Sequence, residues 1–292
     1  MTGMPWGRVS VGGRDAATLL QGQLTQDVTT AGPGQAPLTG WCTPKGRLLA
    51  VCRLLAPAPE RFELAMPAEL TAEVARRLSM FVLRSQADVA DEGPGWSSIV
   101  VTADTATAHG VALDTTPGAA VEVEGCWWIR LAGAPGHLQV LGPAPAVSAL
   151  APTDAAQVNR ITAGLPAVYA ATREAFIPQM LNLDAIGGVS FRKGCYTGQE
   201  IVARTQNLGR IKRRMARYVT EANTPLSPGD RLLHSPPADG TEATAGQVVD
   251  REGQDLLAVV ALEHAGQPLY APDGTRLAPR PLPYAVPELP GV

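Results

Sequence analysis

Lys193-Gly194-Cys195-Tyr196-Thr197-Gly198-Gln199-Glu200 decides how this chain is read, together with the run from Ile201 to Arg217 that follows it. A cysteine stands between two glycines, with the cations Arg192 and Lys193 before it. Thr197 and Glu200 have the Ser/Thr-x-x-Glu spacing of a capping box, in which hydroxyl and carboxylate each satisfy a free backbone N–H at a helix start. Ile201, Val202, Thr205 and Leu208 then recur at helical spacing, and Gly209 is placed to take the left-handed turn that ends the helix. Between Arg192 and Arg217 eight ionisable side chains are basic and Glu200 alone is acidic.

Cys195 has two readings. Helix-terminal N–H groups and neighbouring cations lower a thiol pKa from about 8.5 into the reactive range, and Cys195 lies just before the proposed cap. The plain alternative is a small residue buried in a tight turn. Capping explains Glu200, whereas nothing about a helix start demands Gln199, whose amide offers both donor and acceptor to the edge of a heterocycle. Tyr196 suits a core or a ligand platform equally. The run Arg210, Lys212, Arg213, Arg214 and Arg217 reads either as a solvated or salt-bridged face or as an anion site, since Arg forks match carboxylates and phosphates. On a helix Arg213 and Arg217 share a face; on a strand Arg213 and Met215 share one face, and Lys212, Arg214 and Ala216 the other.

A chain of 292 residues allows about two domains, or three small ones. Hydrophobic residues at 45% and charged ones at 17% describe a folded globular chain, not a disordered one. The formal net charge of −3 argues against a general nucleic-acid binder, but it conceals segregation, because eight of the 24 basic side chains fall in the one segment. Cys42, Cys52, Cys126 and Cys195 form no Cys-x-x-Cys pair and the four histidines no His-x-x-x-His. Reduced cytoplasmic thiols are expected, and a zinc site or disulfide framework is not. The opening Met-Thr-Gly-Met-Pro-Trp-Gly shows no secretory signal, and no apolar run approaches the ~20 residues of a membrane helix. Lys45-Gly46-Arg47 lacks the spacing of a phosphate loop.

Along the chain, Asp15 is placed to cap a helix carrying Leu19, Leu20 and Leu24. Leu38–Cys42 and Leu48–Leu55 read as a hairpin with Lys45 and Arg47 at its tip, and Phe62–Met66 as a further strand. Pro67 opens a helix with Leu70, Val74, Leu78 and Phe81 on one face. Strands at Ser97–Thr102, Val121–Val123, Cys126–Leu131 and Leu138–Leu141 surround a short helix at Ala103–His109. Gly142-Pro143-Ala144-Pro145 reads as an internal break, followed by a helix at Asp154–Ala163. Beyond Arg217, short alternating runs at Ala216–Thr220, Asp230–Leu233, Gly246–Asp250, Leu256–Leu262 and Leu269–Tyr270, separated by turns, fit a small β-barrel. The expected class is α+β.

At Lys193–Glu200 the chain resembles the YgfZ family, folate-binding proteins related to the T protein (aminomethyltransferase) of glycine cleavage and linked to iron–sulfur enzymes. The resemblance extends to Phe176–Leu183, Gly187–Phe191, Gly13–Thr25, Trp41–Arg47 and the closing Leu282-Pro283-Tyr284. It implies a three-domain cloverleaf around a central folate cleft. Two α+β, ferredoxin-like modules would span residues 1–40 with 143–212 and 41–142, and a barrel 213–292. It further implies tetrahydrofolate or a one-carbon derivative as cofactor and iron–sulfur enzymes or assembly proteins as partners, with neither membrane nor nucleic acid among them. The candidate contacts are Lys193, Tyr196, Gln199, Glu200, Arg204, Gln179 and Asn182, with Cys195 as candidate catalytic residue. The T protein's catalytic Asp has no counterpart in Met66–Thr71, and Thr162 stands where its Arg-x-Glu-Ala-Gly has Glu. An accessory folate-binding role is therefore favoured over aminomethyl transfer, and direct RNA or partner docking through the basic run comes third.

Overall fold

The computed structural model describes residues 5–150, 159–207, 211–220, 224–237 and 243–287. The chain opens on a strand that its glycines conceal, β1 (Trp6–Gly12), which lies between two others. α1 (Ala16–Gln21) buries Ala16, Leu19 and Leu20. Asp15 does not cap it; its carboxylate accepts from the Gln86 N–H at 2.7 Å and ties the helix start to a distant turn.

The hairpin β2 (Leu38–Cys42) and β3 (Leu48–Ala58) forms as its sequence predicts, with Gly46 at φ 68 in the turn. β4 (Arg61–Pro67) follows, then a 3-10 turn at Ala68–Leu70 and α2 (Thr71–Ser79). α2 buries Val74 and Leu78 but stops short of Phe81, which lies in a turn and is partly exposed. β5 (Asp88–Thr102) is far longer than Ser97–Thr102. It absorbs Gly93-Pro94-Gly95 through register shifts against β1, and Gly93 and Gly95 take φ 68 and 126. α3 (Ala103–Ala108) is capped by the Thr102 hydroxyl, which accepts from Thr105 N–H.

β6 (Ala120–Val123), β7 (Cys126–Arg130) and β8 (His137–Pro143) come next. The expected break at Gly142–Pro145 is absent: β8 runs straight into α4 (Ala144–Ala149), whose first turn accommodates the prolines because its N–H groups have no intrahelical partner. Of the helix expected at Asp154–Ala163, residues 154–158 lie outside the described residues and 160–163 form a turn.

β1 to β8 make one antiparallel sheet in the order β2-β3-β4-β1-β5-β8-β7-β6. β5 welds its two halves, pairing with β1 through Asp88–Trp96 and with β8 through Trp96–Thr102. After α5 (Gln199–Asn207), β9 (Arg213–Thr220), β10 (Arg231–Leu233), β11 (Thr244–Glu252), β12 (Asp255–Ala261), β13 (Leu269–Tyr270) and β14 (Arg276–Arg280) close a six-stranded barrel. Period 2 divides β12 between two cores. Leu256, Ala258 and Val260 fill the barrel, while Leu257 and Val259 join Met215 and Val249 against the main body. Each such side chain stabilises the docking by about 1.5–3 kcal/mol, which explains an apolar run with no polar face. Tyr284 returns from the barrel to donate to Gly164 O at 2.8 Å. Among the described residues no helix is long and apolar enough to cross a membrane.

Candidate functional site: a clamped thiol loop and a basic cleft

Lys193 turns inward. Its Nζ donates to the carbonyls of Gln21 (2.7 Å), Leu24 (2.7 Å) and Gln26 (3.0 Å), and it stands 5.1 Å from the centre of the Tyr196 ring. The chain leaving α1 thus receives all three donors of one ammonium. Burial pushes the ammonium pKa down to about 8, with Asp27 pulling it back. Tyr196 is buried, which pushes its phenol pKa up. Both residues, expected as folate contacts, hold the loop in place.

The two glycine motifs meet backbone to backbone. Gly198 takes φ 86, and a Cβ there would lie 2.5 Å from Thr43 O and 3.1 Å from Gly46 Cα; a Cβ on Gly46 would meet Ile201 Cβ at 2.8 Å. Only glycines allow the hairpin tip to sit on the start of α5. That start is one residue later than the capping box requires. Thr197 lies outside α5, its hydroxyl donating to Gln23 Oε1 (3.2 Å), which also accepts from the Trp41 indole (3.2 Å). Glu200 and Arg204 are exposed and Gln199 partly so, and none has a side-chain partner among the described residues. The helix end expected at Gly209 lies outside the described residues.

Cys195 is exposed, whereas Cys42, Cys52 and Cys126 are buried; all four are free. Burial pushes the Cys42 and Cys52 thiols up to about 12. The reading of Cys195 as a buried turn residue is therefore corrected: the loop presents this thiol to solvent. Among the described residues no group of three or more His, Cys, Asp or Glu could hold a metal.

Gln179 and Asn182 are fully buried and serve the frame. Gln179 Nε2 donates to Val202 O (2.8 Å), and Asn182, in the left-handed conformation at φ 57, donates from Nδ2 to Met215 O (2.9 Å). Arg214 completes the joint with a bidentate pair to Asp184 (2.7 and 2.9 Å) and bonds to Gln179 O and Pro287 O. Arg217 pairs with Asp255 within the barrel at 2.7 Å. Thr162, in the position of the missing Glu, closes a local turn on Asn159.

Lys212 and Arg213 remain exposed with no ion-pair partner among the described residues. They join Arg47 of the hairpin around a cleft of about 280 Å³ whose apolar lining is Phe176, Met180 and Val259, with Gln247 at its side. Arg47 is fixed by donation to Ala175 O (2.7 Å). Sequence reasoning placed Arg47 at a turn tip and left Phe176 and Gln247 without a role; Phe176 lies in a quoted motif, but nothing local ties it to a barrel strand. Gln179 Oε1, next in the chain to Met180, is buried without a hydrogen-bond partner.

No family model matches the chain. It is 30% identical to the tRNA-modifying protein YgfZ of Klebsiella pneumoniae (strain 342), over 98% of this chain and 93% of that one. It is 31% identical to the tRNA-modifying protein YgfZ of Pectobacterium carotovorum subsp. carotovorum (strain PC1), over 78% and 72%. Among solved structures, the glycine cleavage system aminomethyltransferase T from Bartonella henselae superposes with a TM-score of 0.62 over 97% of this chain and 85% of that one, at 15% identity, a likeness of fold.

Proposed function

The chain belongs to the YgfZ family, and on that premise we propose that it is a cytoplasmic tetrahydrofolate-binding accessory protein that supports iron–sulfur enzymes, those that modify tRNA among them. The tRNA destination comes from the name its relatives carry. The observation that carries the folate reading is the cleft, where three cations border an apolar lining. Carboxylates of a glutamate tail match Arg47, Lys212 and Arg213, and a benzoyl ring matches Phe176, Met180 and Val259. At about 280 Å³ the cleft is slightly smaller than the usual small-molecule site, about 300–1,000 Å³, and so would take the tail half of a folate and not the whole molecule.

Held by Arg47, Lys212 and Arg213, a one-carbon derivative of tetrahydrofolate would supply a one-carbon unit, whereas tetrahydrofolate itself could only accept one. The residues of this chain orient and expose: Lys193, Gly198 and Gln23 fix the loop, and Cys195 is held at its surface. Aminomethyl transfer lacks its carboxylates, and direct RNA docking loses Arg214 and Arg217 to internal pairs.

Replacing Cys195 by Ala tests the division of labour. In cells lacking their own copy, the variant is expected to bind tetrahydrofolate as the wild type does in calorimetry and to fail to restore the activity of an iron–sulfur tRNA-modifying enzyme. Restored activity would remove the thiol from the account.

A further inference from the structure

The cleft bordered by Arg47, Lys212 and Arg213 holds three cations and no acid, and the rest of its lining is apolar apart from Gln247. The acids that neighbour these elements are engaged elsewhere. Glu174, next in the chain to Ala175, faces Arg77 at 3.8 Å, Asp184 holds Arg214 and Asp255 holds Arg217. Glu263 follows Leu262, whose N–H donates to Lys212 O at 2.9 Å, but its carboxylate lies 3.8 Å from His264. Arg47, Lys212 and Arg213 thus have no ion-pair partner among the described residues.

Like charges around one small space repel one another, and a ligand of matching opposite charge relieves the repulsion most. A folate with a single glutamate brings two carboxylates, one fewer than the cations that border the cleft. Each further γ-linked glutamate adds one, so a diglutamate tail brings the number that the cleft lacks. The apolar lining narrows the class. Phe176, Met180 and Val259 suit the benzoyl ring that stands directly before such a tail, whereas a chain of phosphates has no ring to place there. Arg47 is fixed through Nη1 to Ala175 O at 2.7 Å, which leaves the rest of its guanidinium to receive a carboxylate from a preset position. Arg47 comes from the hairpin and Lys212 and Arg213 from the start of β9, so the cations border the cleft from two elements. A tail with carboxylates along its length can reach both.

Resting on the folate reading, we propose that the cleft selects folates by tail length: a second, γ-linked glutamate supplies the third carboxylate, and Lys212 and Arg213 set that specificity. The ligand class is the polyglutamylated folates, not the monoglutamate.

The test is calorimetric titration of the whole chain with tetrahydropteroyl mono-, di- and triglutamate. The diglutamate is expected to bind about tenfold more tightly than the monoglutamate, with a much smaller further gain for the triglutamate. The difference should shrink as salt rises. Lys212→Ala leaves two cations at the cleft, and in this variant mono- and diglutamate should bind alike. Arg76→Ala, which removes an exposed cation from α2 and none from the cleft, should keep the full step. Inorganic tripolyphosphate, which carries charge but no ring, should compete only weakly with the diglutamate. Equal affinity of the three folates in the wild type, a step that survives Lys212→Ala or is lost in Arg76→Ala, or displacement of the diglutamate by tripolyphosphate at equal concentration would overturn the proposal and leave the folate reading standing. Failure of all three folates to bind would overturn the folate reading itself, and this proposal with it.

Discussion

The loop around Cys195 and the strand β9 both carry basic side chains, and they use them in opposite ways. In the loop, Lys193, Tyr196 and Thr197 turn inward to hold neighbouring backbone and side chains, and the residue left at the surface is the thiol. At β9 the residues around the strand start divide: Arg214 is buried against Asp184, while Arg213 and its neighbour Lys212 face the cleft. Residues that look alike in the sequence are thus a frame in one place and an exposed cationic surface in the other. Polar density alone does not locate a binding site; the direction of each side chain does.

The comparison breaks first at Arg214. Arg214→Met leaves Asp184 buried and uncompensated, and is expected to lower stability by about 3–5 kcal/mol in urea unfolding, with much of the loss recovered by adding Asp184→Leu. Lys193→Met removes the donor from three carbonyls and should cost about 2–4 kcal/mol; a loss below about 0.5 kcal/mol would mean that the clamp is not structural. Gly198→Ala forces a side chain into a left-handed turn against Thr43 O, with an expected loss of about 1–3 kcal/mol in the same assay. On the other side of the comparison, Lys212→Ala combined with Arg213→Ala should change stability by no more than about 0.5 kcal/mol. The same pair should weaken reduced-folate binding about tenfold or more, because charge-assisted bonds to a carboxylate are lost.

Local pattern made much of this fold legible. The hairpin at Leu38–Leu55 was announced by its turn chemistry, and the barrel by runs too short and regular for helices. β1 was not legible, because Trp6–Gly12 carries glycines at both ends and a central Arg and Ser, and its place between two strands is a property of the sheet. β5 hid behind Gly93-Pro94-Gly95, which a bulged strand absorbs, and β14 behind Pro279. The prolines at Pro143 and Pro145 misled in the other direction, since the start of a helix tolerates them as well as a loop does. At the site, the motif singled out the right loop but not the role of its members. Lys193 meets carbonyls some 170 residues away in sequence, and Thr197 is drawn off its expected cap by Gln23. The cleft joins positions 47, 175, 176, 180, 212, 213, 247 and 259, which no spacing rule links.

Calorimetric titration of tetrahydrofolate into the wild type, Cys195→Ala and the Lys212→Ala, Arg213→Ala pair bears most directly on the central claim that the cleft binds and the loop presents. Wild type and Cys195→Ala are expected to bind alike, and the cation variant about tenfold more weakly or worse. Absence of any reduced-folate binding at millimolar concentration, or a loss confined to Cys195→Ala, would contradict it.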